Sequence, residues 1–165
     1  MNRQVENITG VITRTVTRIN DQRGWFSPAL NQDDTNIQSS WILQNISLSK
    51  PKVLRGLHYQ TNHPQTKIIT LISGEIQDIV ADLRPDSPTY NQFAVYNLNY
   101  KNINQIYIPK GCAHGFLVTS SEDALITYLT DAPYDPTSEQ TLPWNHPDWN
   151  FPWKTKENII SEKDK

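Results

Sequence analysis

Residues 67–82 read KIITLISGEIQDIVAD, two apolar runs that meet at Gly74. Isoleucine, valine and threonine suit a pleated, half-buried surface. In the second run Ile76, Asp78 and Val80 share one parity, so a strand would turn all three toward one face. The SGE junction is short enough to predict a hairpin between the two runs.

Period-two runs recur on both sides of this stretch. GVITRTVTRI, SSWILQNIS and KVLRGLHYQ precede the opening stretch; QFAVYNL, QIYIP, HGFLVTS and ALITYLT follow it. The polar NQDDTN stretch stands before SSWILQNIS, and NHPQT, RPDSPTYN, NYKNIN, PKGC and SSED separate later runs with turn-forming chemistry. Eleven prolines and scarce alanine speak against a helical bundle. Many short strands at this spacing predict an all-β sandwich or barrel. With 165 residues the chain is expected to form one domain, residues 1–165, with a sizeable core. From DAPYDPTSEQ onward the alternation dissolves into loop. The tail KTKENIISEKDK reads as a short helix or irregular segment, solvated by composition.

The net charge of −2 offers no nucleic-acid surface. No run approaches the ~20 apolar residues of a membrane span. MNRQVENITG lacks the apolar core of a secretion signal, which makes the NIT and NIS acceptor matches fortuitous. The lone cysteine, Cys112, allows no internal disulfide, suits a reducing cytoplasm, and reads as a small buried hydrophobe.

Polar groups stand on apolar faces. His114 shares parity with Phe116 and Val118, Asp78 with Ile76 and Val80, Tyr128 with Ile126. Such groups need partners, or they line a polar cavity. Together they suggest a jelly roll with a wet, functional interior. VLRGLHYQ, Val53 to Gln60, adds a further sign. Arg55 and His58 are three apart and would face opposite ways on a regular strand. Gly56 lies between them, and a glycine inside a strand often marks a bulge. A bulge would turn both side chains into one cavity; without it, Arg55 is half exposed and His58 a core residue.

Pro109-x-Gly111-x-x-His114 in IPKGCAHGF resembles the second motif of the cupins, double-stranded β-helix jelly rolls that often bind a metal. Here His58 is followed by Tyr59 and Gln60, and His63 stands in a turn, so the ligand count is short of a metal site. VLRGLHYQ, KIITLISGEIQDIVADLRPDSPTY, IYIPKGCAHGFLV and PWNHPDW together resemble the dTDP-4-dehydrorhamnose 3,5-epimerases, from DQRGWF to the final SEKD. That resemblance implies a cofactor-free, metal-free cupin acting on a dTDP-4-keto-6-deoxyhexose. It implies His58 as general base, Asp164 as its orienting carboxylate, Lys67 beside the enolate oxygen, and Tyr128 as the acid on the other face. His114 would contact the sugar, with Asp78 holding it. Arg23 and Arg55 would meet the diphosphate, Phe26 and Tyr134 the base, and Glu139 a polar group near the nucleotide. Cytoplasmic homodimers joined by strand exchange are implied too, with GVITRTVTRI as the exchanged edge.

The chain departs from the family at its nucleotide periphery. Ser27 and Pro28 follow RGWF where an aromatic and a glutamate are usual, LQN replaces QDN, and NINQ replaces NKRQ. The alternatives are a 3- or 5-mono-epimerase on a related sugar, a non-catalytic sugar-nucleotide-binding cupin, and a metal-dependent cupin.

Overall fold

The computed structural model describes residues 3–30, 40–102 and 104–165. The NQDDTN stretch lies outside them. The described residues form two facing sheets and a small hairpin. The first sheet has the order β1 (Arg3–Gln4), β9 (Gln92–Asn99), β8 (Glu75–Asp82), β11 (Cys112–Val118), β6 (Leu54–Gln60), β13 (Glu139–Thr141). The second runs β2 (Ile12–Arg14), β10 (Gln105–Ile108), β7 (Lys67–Ser73), β12 (Ala124–Thr130), β5 (Leu43–Ser49). Among the described residues, β3 (Ile19–Asp21) and β4 (Gly24–Phe26) pair only with each other. This is the all-β jelly roll expected from the sequence. Among the described residues no helix is long and apolar enough to cross a membrane.

The core lies between the sheets. Ile69, Leu71, Ile106 and Ile126 meet Ile76, Val80, Phe116 and Val118 there. A second cluster covers the outer face of the first sheet, where Trp149 and Phe151 of the C-terminal loop pack on Leu57, Ile79, Ala81 and Phe93. Phe151 stacks on Trp149 and meets Phe93 edge-on at 5.0 Å. β8 and β11 are therefore covered on both faces, which is why almost every residue of both strands is buried. Cys112 is buried, and burial pushes its thiol up to about 12.

Two expectations need correction. The runs on either side of Gly74 do not form a hairpin: β7 belongs to the second sheet and β8 to the first. One intervening residue is too few for a hairpin loop. Gly74 instead turns a corner at φ +83°, where a Cβ would sit 2.9 Å from Ala124 Cα. GVITRTVTRI is not one strand. It breaks after Arg14, buries Val16, and re-forms as β3 on the separate hairpin. The tail, solvated by composition alone, packs back on the sheet as the resemblance implied. Ile159 bridges Val53, its carbonyl accepts from Leu54 N at 3.0 Å, and a 3-10 turn, Glu162–Asp164, buries Asp164 beside β6.

Candidate active site

The bulge read from VLRGLHYQ is present. β6 and β11 pair His58 with His114 and Arg55 with Phe116, three residue steps against two. Gly56, at φ +107°, takes up the extra residue. A Cβ there would lie 2.6 Å from the His114 carbonyl oxygen. A side chain has no room, so the backbones close together and the register shift follows. Arg55 and His58 then line one cavity of about 480 Å³ between the two sheets.

His58 and His114 come from neighbouring strands of the first sheet, and a carboxylate holds each through Nε2. His58 Nε2 donates to Asp164 Oδ1 at 2.6 Å, and His114 Nε2 to Asp78 Oδ2 at 2.7 Å. A carboxylate only accepts, so Nε2 carries the proton and the lone pair of a neutral ring stays on Nδ1. Gly56 N also donates to Asp164 Oδ2 at 3.4 Å, tying the tail to the bulge. Burial pushes the His58 imidazole below its ordinary value of 6.5; Asp164 opposes that shift without cancelling it. The ring is therefore a neutral base at neutral pH, not the imidazolium that a carboxylate partner alone would favour.

The second sheet supplies the opposite wall. Tyr128 on β12 and Lys67 on β7 line the same cavity. Burial raises the Tyr128 phenol above its ordinary value of 10.0, with Arg55 pulling the other way, so the hydroxyl keeps its proton. Burial lowers the Lys67 ammonium, while Glu139 and Asp78 oppose. Among the described residues no carboxylate lies within ion-pair distance of Lys67. The arrangement sets a neutral base on one wall, a protonated acid on the facing wall, and a cation without a close counter-charge alongside. That division is what proton abstraction next to a carbonyl requires.

At the rim, Glu139 of β13 gathers two partners. Tyr134 Oη donates to its Oε2 at 2.6 Å, and Lys163 Nζ donates to the same oxygen. Burial pushes Glu139 up, but the Lys163 and Tyr134 bonds outweigh it and the carboxyl lies low. Arg55 Nε donates to the buried Ser49 Oγ at 3.0 Å, which aims the guanidinium.

Nine of the eleven residues singled out from the sequence belong to this site. Eight line the cavity, and Asp78 stands behind His114. Arg23 and Phe26 do not reach it within their own chain. They stand on the exposed β3–β4 hairpin, where Arg23 is occupied by Asp21 at 2.5 Å. Lys163, Gln60, Gln65, Asn45 and Ser47 line the cavity without having been singled out. Strand parity in LQNIS offered a signal for Asn45 and Ser47; nothing in SEKD offered one for Lys163. Among the described residues no three His, Cys, Asp or Glu side chains gather as a metal-ligand set.

The family model described as dTDP-4-dehydrorhamnose 3,5-epimerase matches residues 6–165. A dTDP-4-dehydrorhamnose 3,5-epimerase of Methanothermobacter thermautotrophicus is 36% identical over 151 residues, covering 88% of this chain and 81% of that protein. Among solved structures, the dTDP-4-dehydrorhamnose 3,5-epimerase of Bacillus anthracis, with TDP and PPi bound, superposes with a TM-score of 0.90 at 33% identity. That match covers 97% of this chain and 94% of the other. The dTDP-6-deoxy-D-glucose-3,5-epimerase of Legionella pneumophila, in complex with dTDP-4-keto-L-rhamnose, gives 0.86 at 33% identity, covering 93% and 84%.

Proposed function

The chain belongs to the dTDP-4-dehydrorhamnose 3,5-epimerase family, and from that premise we propose that it inverts carbon-3 and carbon-5 of a dTDP-4-keto-6-deoxyhexose. The observation that carries this reading is the placement of His58 and Tyr128 on facing sheets around one cavity. The carbonyl at carbon-4 acidifies the hydrogens on both neighbours. His58 Nδ1 takes the proton from one of them, and the C–H electron pair moves into an enolate whose charge rests on the carbonyl oxygen. Lys67 is the cation for that oxygen, where a charge developing in a water-poor site gains most from a preorganised partner. Tyr128 gives its proton to the same carbon from the opposite side, and the centre inverts with no change in oxidation state. Solvent then reprotonates the phenolate and removes the proton from His58. Asp164 fixes the His58 tautomer throughout, as Asp78 fixes that of His114 beside the sugar.

Arg55, Tyr134 and Glu139 lie where the nucleotide end would emerge, with an arginine fork suited to phosphate oxygens and an aromatic ring suited to the base. The TDP and keto sugar bound by the Bacillus and Legionella relatives support a dTDP-sugar as substrate. A homodimer is part of the proposal. The β3–β4 hairpin holds Ile19, Trp25 and Phe26 exposed, and strand β5 at the sheet edge exposes Ile46 and Leu48. Exchange between two copies would cover both and bring Arg23 and Phe26 to the partner's nucleotide. A single domain working in the cytoplasm without cofactor or metal completes the reading; the single buried cysteine suits a reducing compartment.

The test is to incubate the protein with dTDP-4-keto-6-deoxyglucose in deuterated water and follow each carbon by NMR. Deuterium at carbons 3 and 5 with inversion at both is the expected result. Exchange confined to one carbon would make the enzyme a mono-epimerase, and exchange at neither would leave a binding protein.

A further inference from the structure

Tyr134 is 54% exposed at the rim, yet the peptide that carries it is tied down on both sides. The buried Gln60 donates from Nε2 to Pro133 O at 3.2 Å and to His63 O at 3.0 Å, while its Oε1 accepts from Asp135 N at 3.0 Å. Gln65 donates from Nε2 to Ala132 O at 3.0 Å and Pro133 O at 3.1 Å. Thr130 Oγ1 donates to Ala132 O at 3.0 Å, and Thr66 N donates to Asp131 Oδ1 at 2.7 Å. Among the described residues, residues 133–135 have no strand partner. A primary amide carries a donor and an acceptor side by side, as a peptide unit does. Gln60 uses both, one on each side of Tyr134, and so stands in for the missing strand.

We propose that Gln60 and Gln65 are positioning residues that hold the peptide of Tyr134 in place and so pre-set its ring for stacking on the nucleobase. This rests on the reading above, in which Tyr134 meets the base. Pre-ordering matters because a loop that must be ordered on binding takes that entropy out of the affinity. Gln60 also lies two residues beyond His58 on β6, so one strand fixes both the base at the reacting carbon and the platform at the nucleotide. The spacing between the two ends of the substrate is thereby built into a single rigid element.

The experiment measures dTDP affinity by calorimetry, and kcat and KM for the keto sugar, in Gln60→Glu, Gln65→Leu and Tyr134→Ala, alone and combined. Gln60→Glu keeps the acceptor for Asp135 N and loses the donor for two carbonyls. Gln65→Leu removes the second donor from a less buried position, should Gln60→Glu fold poorly. Loss of stacking in Tyr134→Ala should weaken dTDP by roughly five- to a hundred-fold. Each glutamine variant should weaken dTDP and raise KM by about three- to ten-fold, with kcat within about two-fold. In the Tyr134→Ala background the glutamine changes should add nothing. If Tyr134→Ala binds dTDP normally, the stacking reading falls and the proposal with it. If Tyr134→Ala is weak but the glutamine variants bind normally, lower kcat instead, or weaken binding equally without Tyr134, the positioning role alone is wrong.

Discussion

His58, His114, Lys67 and Tyr128 sit on β6, β11, β7 and β12, each hydrogen-bonded to a strand on both sides. Tyr134, Glu139 and Lys163 sit on a loop, a three-residue strand and a single 3-10 turn. The walls take their geometry from ladders and a packed core; the rim takes it from side-chain bonds such as Tyr134 and Lys163 to Glu139. On the proposed reading, the walls hold groups that must stay within a proton's reach of a carbon atom, and the rim holds groups that need only grip a flexible diphosphate and a flat base. Substitutions in the walls should therefore act on kcat, and substitutions at the rim on KM.

The sharpest way to break this division is at His58. His58→Ala should lower kcat by roughly 10²–10⁴, the range of a positioned acid–base group, and leave dTDP affinity within about two-fold. Equal losses in kcat and in dTDP binding would mean that walls and rim are not separate. Lys67→Gln comes next. Removing the cation from an enolate should cost on the order of 10²–10³ in kcat, comparable to loss of an oxyanion-hole donor. An unchanged rate of deuterium uptake would remove Lys67 from that role.

Asp164→Asn tests the join between the two regions, because this wall-side carboxylate arrives on the same turn as Lys163. Loss of an orienting carboxylate should lower kcat about 10–100-fold. The pH profile reports the cause. In the parent protein the His58 pKa lies below 6.5 because burial outweighs Asp164. The acid limb of the activity profile, where Nδ1 takes a proton, should have its midpoint below 6.5. Removing Asp164 removes the opposing attraction and should move that acid limb lower still. An acid limb above 6.5 in the parent would contradict the burial argument. The unfolded imidazole, at its ordinary 6.5, takes a proton first, so stability should fall in the same acid window.

The same contrast explains what was legible in the sequence. Alternation alone put His114, Asp78 and Tyr128 on inward faces, and the glycine between Arg55 and His58 announced the bulge. Those are properties of strands, whose period is written in the residues. Gly74 showed the limit. A glycine tells that the chain turns, but not whether it returns along its own sheet or crosses to the facing one; the atoms that crowd Gly74, on Ala124 and Asp123, lie far along the chain. Asp164 was identified through family resemblance, because SEKD has no periodicity and its burial arises from Ile159 docking on Val53. Lys163 and β13 escaped notice for the same reason. Arg23 and Phe26 were legible as residues but not as positions, since among the described residues their hairpin pairs with no other strand.

If proton removal and proton return come from opposite walls, Tyr128→Phe in deuterated water should separate the two. Deuterium should continue to enter the keto sugar through His58 while inverted product falls by about 10²-fold or more. Inversion at the parent rate in Tyr128→Phe, or loss of deuterium uptake in step with inversion, would contradict that division between the walls.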